Sequence, residues 1–120
     1  MQGVEWLIEA YGCPKSALSE LPILQGLFKI LIAGMQLKPV GNPIWHQFPD
    51  TGGVTGVWLL QESHLAIHTF PEFGTLCLNV FCCSQRPAVD WERELSNLLG
   101  ASYVQVRECP RIYQISPVLK

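Results

Sequence analysis

Apolar and polar positions change their period several times along this chain, and each change marks an element. Val4 to Ala10 is a short, largely apolar run that stops at Tyr11-Gly12-Cys13-Pro14, the pattern of a strand ended by a turn. Leu24, Leu27, Phe28, Leu31, Ile32 and Met35 then recur at spacings of three and four, which predicts a helix with one buried face. Ser19 is its expected cap, Pro22 falls in the first turn where a missing N–H costs nothing, and Pro39 marks its exit. Val40 to Phe48 and Val54 to Gln61 read as strands around the turn Pro49 to Gly53, and Leu65 to Phe70 and Thr75 to Phe81 as a second pair around Pro71 to Gly74. A last helix begins at Asp90, buries Trp91, Leu95, Leu98 and Leu99, and stops at Gly100. Tyr103 to Arg107 alternates as a closing strand, and Pro110 and Pro117 predict a wrapping or poorly ordered tail after Cys109.

The order β-α-β-β-β-β-α-β predicts one α+β domain over residues 1–120: a two-layer sandwich with a largely antiparallel sheet and both helices on one face. Apolar residues make up 48% of the chain and charged ones 15%. That is more apolar surface than a free-standing domain of this size needs, so part of the surplus is expected at an interface. A formal charge of −2 provides no basic footprint for nucleic acid. The most apolar stretch, Leu21 to Leu37, is interrupted by Pro22, Gln25, Gly26, Lys29, Gly34 and Gln36, so no membrane span is expected. The first residues lack the basic start and apolar core of a secretory signal, and a cytoplasmic protein is expected. Cys13, Cys77, Cys82, Cys83 and Cys109 form an odd set without regular spacing, which points to reduced thiols.

The chemistry centres on Glu62-Ser63-His64 inside the run Leu59 to Gly74. This run resembles the self-cleavage signature of the small bacterial and archaeal S-adenosylmethionine decarboxylases. The resemblance continues through Gly3 to Cys13, similar to the family's opening G-x-H strand, and through His46-Gln47-Phe48 with Gly53-Val54-Thr55-Gly56-Val57, similar to H-x-F and G-V-S-G-V. Asn79-Val80-Phe81-Cys82-Cys83-Ser84 takes the place of D-V-F-T-C-G. Four positions depart from the family pattern: Glu5 for His, Thr55 for Ser, Asn79 for Asp and Ser84 for Gly.

What the resemblance implies is self-cleavage between residues 62 and 63 into a β chain, 1–62, and an α chain, 63–120. The cofactor is then a covalent pyruvoyl group derived from Ser63. The serine hydroxyl attacks the carbonyl of Glu62, elimination releases the ester, and the dehydroalanine left behind hydrolyses to a ketone. Such a serine needs an oxyanion donor and a base nearby. The resemblance makes His68 that base, Thr55 the hydroxyl that assists processing, and Cys83 the acid that returns a proton to the substrate carbon. It places Phe48 and Phe70 against an adenine or sulfonium and Glu72 on ribose hydroxyls, and Glu5 at the pocket wall. Taken singly, Ser63 reads as a turn serine, His68 as a half-buried strand histidine, and Cys82, Cys77 and Cys13 as small core residues. A metal is not expected, because His64 and His68, four apart on a strand, stand about 13 Å from each other.

The expected function is a pyruvoyl-dependent decarboxylase of S-adenosylmethionine that supplies the aminopropyl donor for spermidine synthesis. In it the ketone forms a Schiff base with the substrate amine and acts as electron sink. Glu5 and Asn79 change charge at pocket positions, which leaves an ornithine or arginine decarboxylase as an alternative. An unprocessed regulatory homologue that binds an active partner is a third. The resemblance also implies a homodimer of cleaved protomers.

Overall fold

A computed structural model describes residues 2–115. Six strands form one sheet in the order β2-β3-β4-β5-β1-β6, every neighbouring pair antiparallel. They are β1 (Gln2–Tyr11), β2 (Ile44–Gln47), β3 (Val54–Leu59), β4 (Ser63–Phe70), β5 (Thr75–Cys82) and β6 (Tyr103–Ile112). The helices are α1 (Lys15–Ser19), α2 (Leu21–Gly34) and α3 (Trp91–Leu99), with a short 3-10 turn at Pro71–Phe73. This is the expected α+β sandwich with one helix more than the sequence pattern predicts. Among the described residues no helix is long and apolar enough to cross a membrane.

Strand alternation sends Ile8, Leu65, Ile67, Leu76 and Val80 to one face, where they are fully buried against Leu24, Leu27, Phe28 and Leu31 of α2 and Leu95 of α3. Trp6 of β1 meets Trp91 of α3 at a ring separation of 6.0 Å, and Phe28 of α2 meets Trp45 of β2 at 4.6 Å. Among the described residues the opposite face carries no helix. It presents Glu5, Leu7 and Glu9 on β1, His64 and His68 on β4, Cys77, Asn79 and Phe81 on β5, and Arg107 and Arg111 on β6. Its β2–β3 corner leaves Ile44, Val57 and Leu59 exposed.

Three expectations change. Ser19 does not cap α2: it ends α1, and its hydroxyl donates to the Lys15 carbonyl at 3.2 Å, while Glu20 takes the cap position without a side-chain bond. Pro14 starts a helical turn directly after β1, and that turn claims the serine. β2 is shortened from Val40–Phe48 to Ile44–Gln47, because Pro39, Gly41 with its positive φ of 65°, and Pro43 break the pairing at its start, leaving Pro39 and Leu60 as a single bridge. The chain after Cys109 is ordered strand as far as Ile112. Pro110 is accepted because β6 is an edge strand, where a missing N–H breaks no ladder. Pro117 lies outside the described residues. The cap at Asp90, whose carboxylate accepts from the Arg93 N–H, and the stop at Gly100 with φ 67° are as expected.

Candidate active site

The Glu62–Ser63 bond lies at the entry to β4, directly after the tight connection from β3. Two crossings pin that connection: Leu60 N–H donates to the Ser63 carbonyl at 3.0 Å, and Gln61 N–H to the Lys38 carbonyl at 2.9 Å. Ser63 pairs with Cys82 at the end of β5 and is half-buried. One residue further, where the strand gives way to a bend, the Cys83 thiol donates to the carbonyl oxygen of Glu62. An attack by the Ser63 hydroxyl on this carbonyl would put the oxyanion on the atom that the thiol faces. Tyr113 braces this end, its hydroxyl donating to the Cys83 carbonyl at 2.8 Å. A cavity of about 500 Å³ opens beside Glu62, Phe81, Cys83, Ser84 and Tyr113. Cys82 is in the core, where burial pushes its thiol pKa up; burial raises those of Cys13 and Cys77 as well.

His68 is elsewhere. It pairs with Thr55 across β3 and β4, and Thr55 Oγ1 and His68 Nδ1 are 3.1 Å apart. Five residues of strand separate it from Ser63, about 16 Å, and the odd spacing puts the two on opposite faces. A hollow of about 290 Å³ in the open face holds His68 with Leu7, Glu9 and Cys77. Phe48 beside the end of β2, Phe70 at the end of β4 and Glu72 in the 3-10 turn are all exposed at this same end of the sheet. The expected residues therefore form two groups at opposite ends of the sheet. Glu62, Ser63, Cys83 and Glu5 make one group; Thr55, His68, Phe48, Phe70 and Glu72 make the other.

At the Ser63 end, five side chains from four strands close a ring on the open face. Arg111 lies over the Phe81 ring at 5.7 Å, and Phe81 stacks on His64 at 5.9 Å and 11°. His64 Nε2 is 2.7 Å from Asn79 Oδ1, the Asn79 amide donates to Glu5 at 2.5 Å, and Glu5 pairs with Arg111. A carboxylate only accepts, so Asn79 must turn its NH₂ to Glu5 and its oxygen to His64, which puts the His64 proton on Nε2. Two of the four departures from the family pattern, Glu5 and Asn79, are thus the two ends of one hydrogen bond. First the Asn79 bond and then Arg111 hold the Glu5 carboxyl below its ordinary range, against the opposing effect of burial.

Because that pKa is depressed in the fold, the stabilisation is complete above the ordinary value of 4.5 and is lost as pH falls through the lower folded value. Asn79→Asp sets a second carboxylate against Glu5 and should cost about 1–2 kcal/mol at pH 7, with the deficit shrinking in acid. The double variant Glu5→His with Asn79→Asp should recover most of it. Urea unfolding at pH 7 and pH 4 checks both, and a double variant no better than the single one refutes the pairing.

The model of the S-adenosylmethionine decarboxylase family matches residues 4–112. The chain belongs to the S-adenosylmethionine decarboxylase family. It is 34% identical over 110 residues to the S-adenosylmethionine decarboxylase proenzyme of Caldicellulosiruptor saccharolyticus, covering 88% of this chain and 84% of that one. To the proenzyme of Methanococcus vannielii it is 36% identical, covering 98% and 96%. In fold it is similar to the crystal structure of the adenosylmethionine decarboxylase from Aquifex aeolicus, with a TM-score of 0.74 and 23% identity over 89% of this chain and 88% of that one. Within this decarboxylase fold, sequence reasoning missed Arg111 and Tyr113, because β6 was expected to stop before them. It named His64 in the motif but gave it no role there, because its partners Asn79 and Phe81 lie on β5, 15 residues or more away in the chain.

Proposed function

We propose that this protein is a pyruvoyl-dependent S-adenosylmethionine decarboxylase that cleaves itself between Glu62 and Ser63. The observation that carries the reading is the Cys83 thiol directed at the Glu62 carbonyl, at the one Glu-Ser bond of the chain and in a member of this family. Ser63 then becomes the pyruvoyl group, which supplies the electron sink for loss of the substrate carboxylate. Cys83 sits beside that position to hand a proton back to the substrate carbon. The decarboxylated product serves as the aminopropyl donor for spermidine.

The division of the site into two groups supports a homodimer. A second copy packed open face to open face, about a two-fold axis running across the strands, sets the Ser63 end of each chain against the His68 end of the other. Two copies make two complete sites, and the exposed Ile44, Val57 and Leu59 gain cover in the same step. His68 then acts as base on its partner's Ser63, with Thr55 holding the ring, and Phe48, Phe70 and Glu72 form the wall for adenosine.

Charge pairing favours S-adenosylmethionine over ornithine or arginine. Glu5 is occupied by Arg111 and Asn79, and Glu9 is held by both of its oxygens to Arg107 at 2.7 and 2.6 Å. Neither carboxylate is left for a substrate's distal cation. Carbon dioxide release should therefore be observed from S-adenosylmethionine and fall roughly ten-fold for Phe48→Ala or Phe70→Ala, the worth of one ring contact. Glu5→Gln should affect it less. Release from ornithine or arginine alone, dependent on Glu5, would replace this substrate assignment.

A further inference from the structure

On the opposite side of the scissile bond from the Cys83 cavity lies a smaller, polar one of about 60 Å³. It is lined by Glu62 and Ser63 and by two basic residues, Lys38 and Arg86. The backbone brings both there. The Lys38 carbonyl accepts the Gln61 N–H at 2.9 Å, and Arg86 Nη1 donates to the Gln36 carbonyl at 3.1 Å, tying the loop after β5 to the exit of α2. Among the described residues neither cation has a carboxylate partner. Strand alternation turns the Ser63 side chain to the same face as Leu65 and Ile67, away from the open face. The Arg86 charge reaches this spot, since it offsets part of the rise that burial imposes on Cys82, the strand partner of Ser63.

We propose that Lys38 and Arg86 form a carboxylate site that receives the new chain end of Glu62 as self-cleavage creates it. The inference rests on the self-cleavage proposed above. In the acyl shift, Ser63 Oγ bonds to the Glu62 carbonyl carbon, the C–N bond breaks, and the hydroxyl proton ends on the nitrogen of Ser63. A base then takes the Cα hydrogen of Ser63, the Cβ–Oγ bond breaks, and its electron pair leaves with Oγ, now an oxygen of the Glu62 α-carboxylate. Water hydrolyses the imine form of the remaining dehydroalanine to the ketone and ammonia.

The first step develops negative charge on the carbonyl oxygen, which the Cys83 thiol faces. The second puts a full negative charge on the oxygen that came from Ser63, beside the cavity that the two cations line. The coming carboxylate is thus held from both sides, one oxygen by a neutral donor and the other by paired positive charge. After cleavage the same pair keeps the new anionic terminus of residues 1–62 on the helix side, clear of the open face.

Elimination should therefore depend on these cations more than the acyl shift does. Arg86→Gln and Lys38→Gln should each slow the appearance of residues 63–120 roughly 10- to 100-fold, the loss of one charge-assisted bond, and the double variant should be slower still. The uncleaved material should accumulate as ester, so that hydroxylamine breaks it after residue 62. Arg86→Lys, which keeps the charge, should stay near the unaltered rate. Intact mass with and without hydroxylamine reads all four variants, with circular dichroism as the check of folding. Slowing without ester means that Arg86 only ties its loop to Gln36, and normal cleavage of the double variant means that the cations do nothing; either result overturns the carboxylate site while self-cleavage stands. An unaltered chain that never cleaves removes the proposed function and this site with it.

Discussion

Ser63→Ala should leave a single species of residues 1–120 under conditions in which the unaltered protein separates completely into residues 1–62 and 63–120. The proposed ester is built on that hydroxyl: without it the acyl shift has no oxygen to receive the Glu62 acyl group, and no carbonyl for decarboxylation can form. The larger fragment, residues 1–62, should carry an ordinary carboxyl end, whereas residues 63–120 should resist Edman sequencing because a ketone replaces the amine. Cys83→Ala should cleave as well, but slowly, because it removes one donor from the oxyanion; losses of this kind are roughly 10²–10³-fold. Mass spectrometry over a time course distinguishes the two variants. An unaltered chain that stays intact after long incubation would move the protein to the regulatory-homologue reading.

Co-expressing the Ser63→Ala chain with a His68→Ala chain should restore cleavage that neither variant performs alone. Within one chain His68 stands about 16 Å along β4 from Ser63, and no side-chain rotation spans that gap. In a face-to-face dimer, a mixed pair has one site that joins the intact Ser63 of the His68→Ala chain to the intact His68 of the Ser63→Ala chain. Only the His68→Ala chain should then be cut. Alone, that variant should stall as ester, with processing down roughly 10²–10⁴-fold for loss of the general base. Normal processing of His68→Ala alone would dismiss His68 as the base. A stall that co-expression does not relieve would place base and serine in one protomer and remove the shared site.

Local pattern made most of the framework legible. The three-and-four spacing from Leu24 to Met35 sets α2, because a helix with one apolar stripe has no other way to hide it. Asp90 and Gly100 bound α3, since one supplies the acceptor and the other the positive φ that the helix ends require. Ser19 was misread because two acceptable helix starts stand close together and the proline at 14 claims the earlier one. β6 was read short for a related reason. Pro110 argues against an interior strand, and only the sheet order reveals that its strand is at the edge.

The chemistry divides along the same line. By itself the sequence determined the family and the one-faced core, and it singled out the Glu62–Ser63 bond proposed for cleavage, because each is written in residues close together in the chain. Spacing along β4 even contained the separation of Ser63 from His68, once that segment is an unbroken strand. Only the tertiary structure decided that Cys83 faces the Glu62 carbonyl, that Glu5 and Asn79 answer each other, and that Lys38 and Arg86 converge behind Ser63. Those meetings depend on strand order and register between segments distant in sequence. The identity of a residue limits which bonds it can make, but the sheet decides which partner stands opposite it.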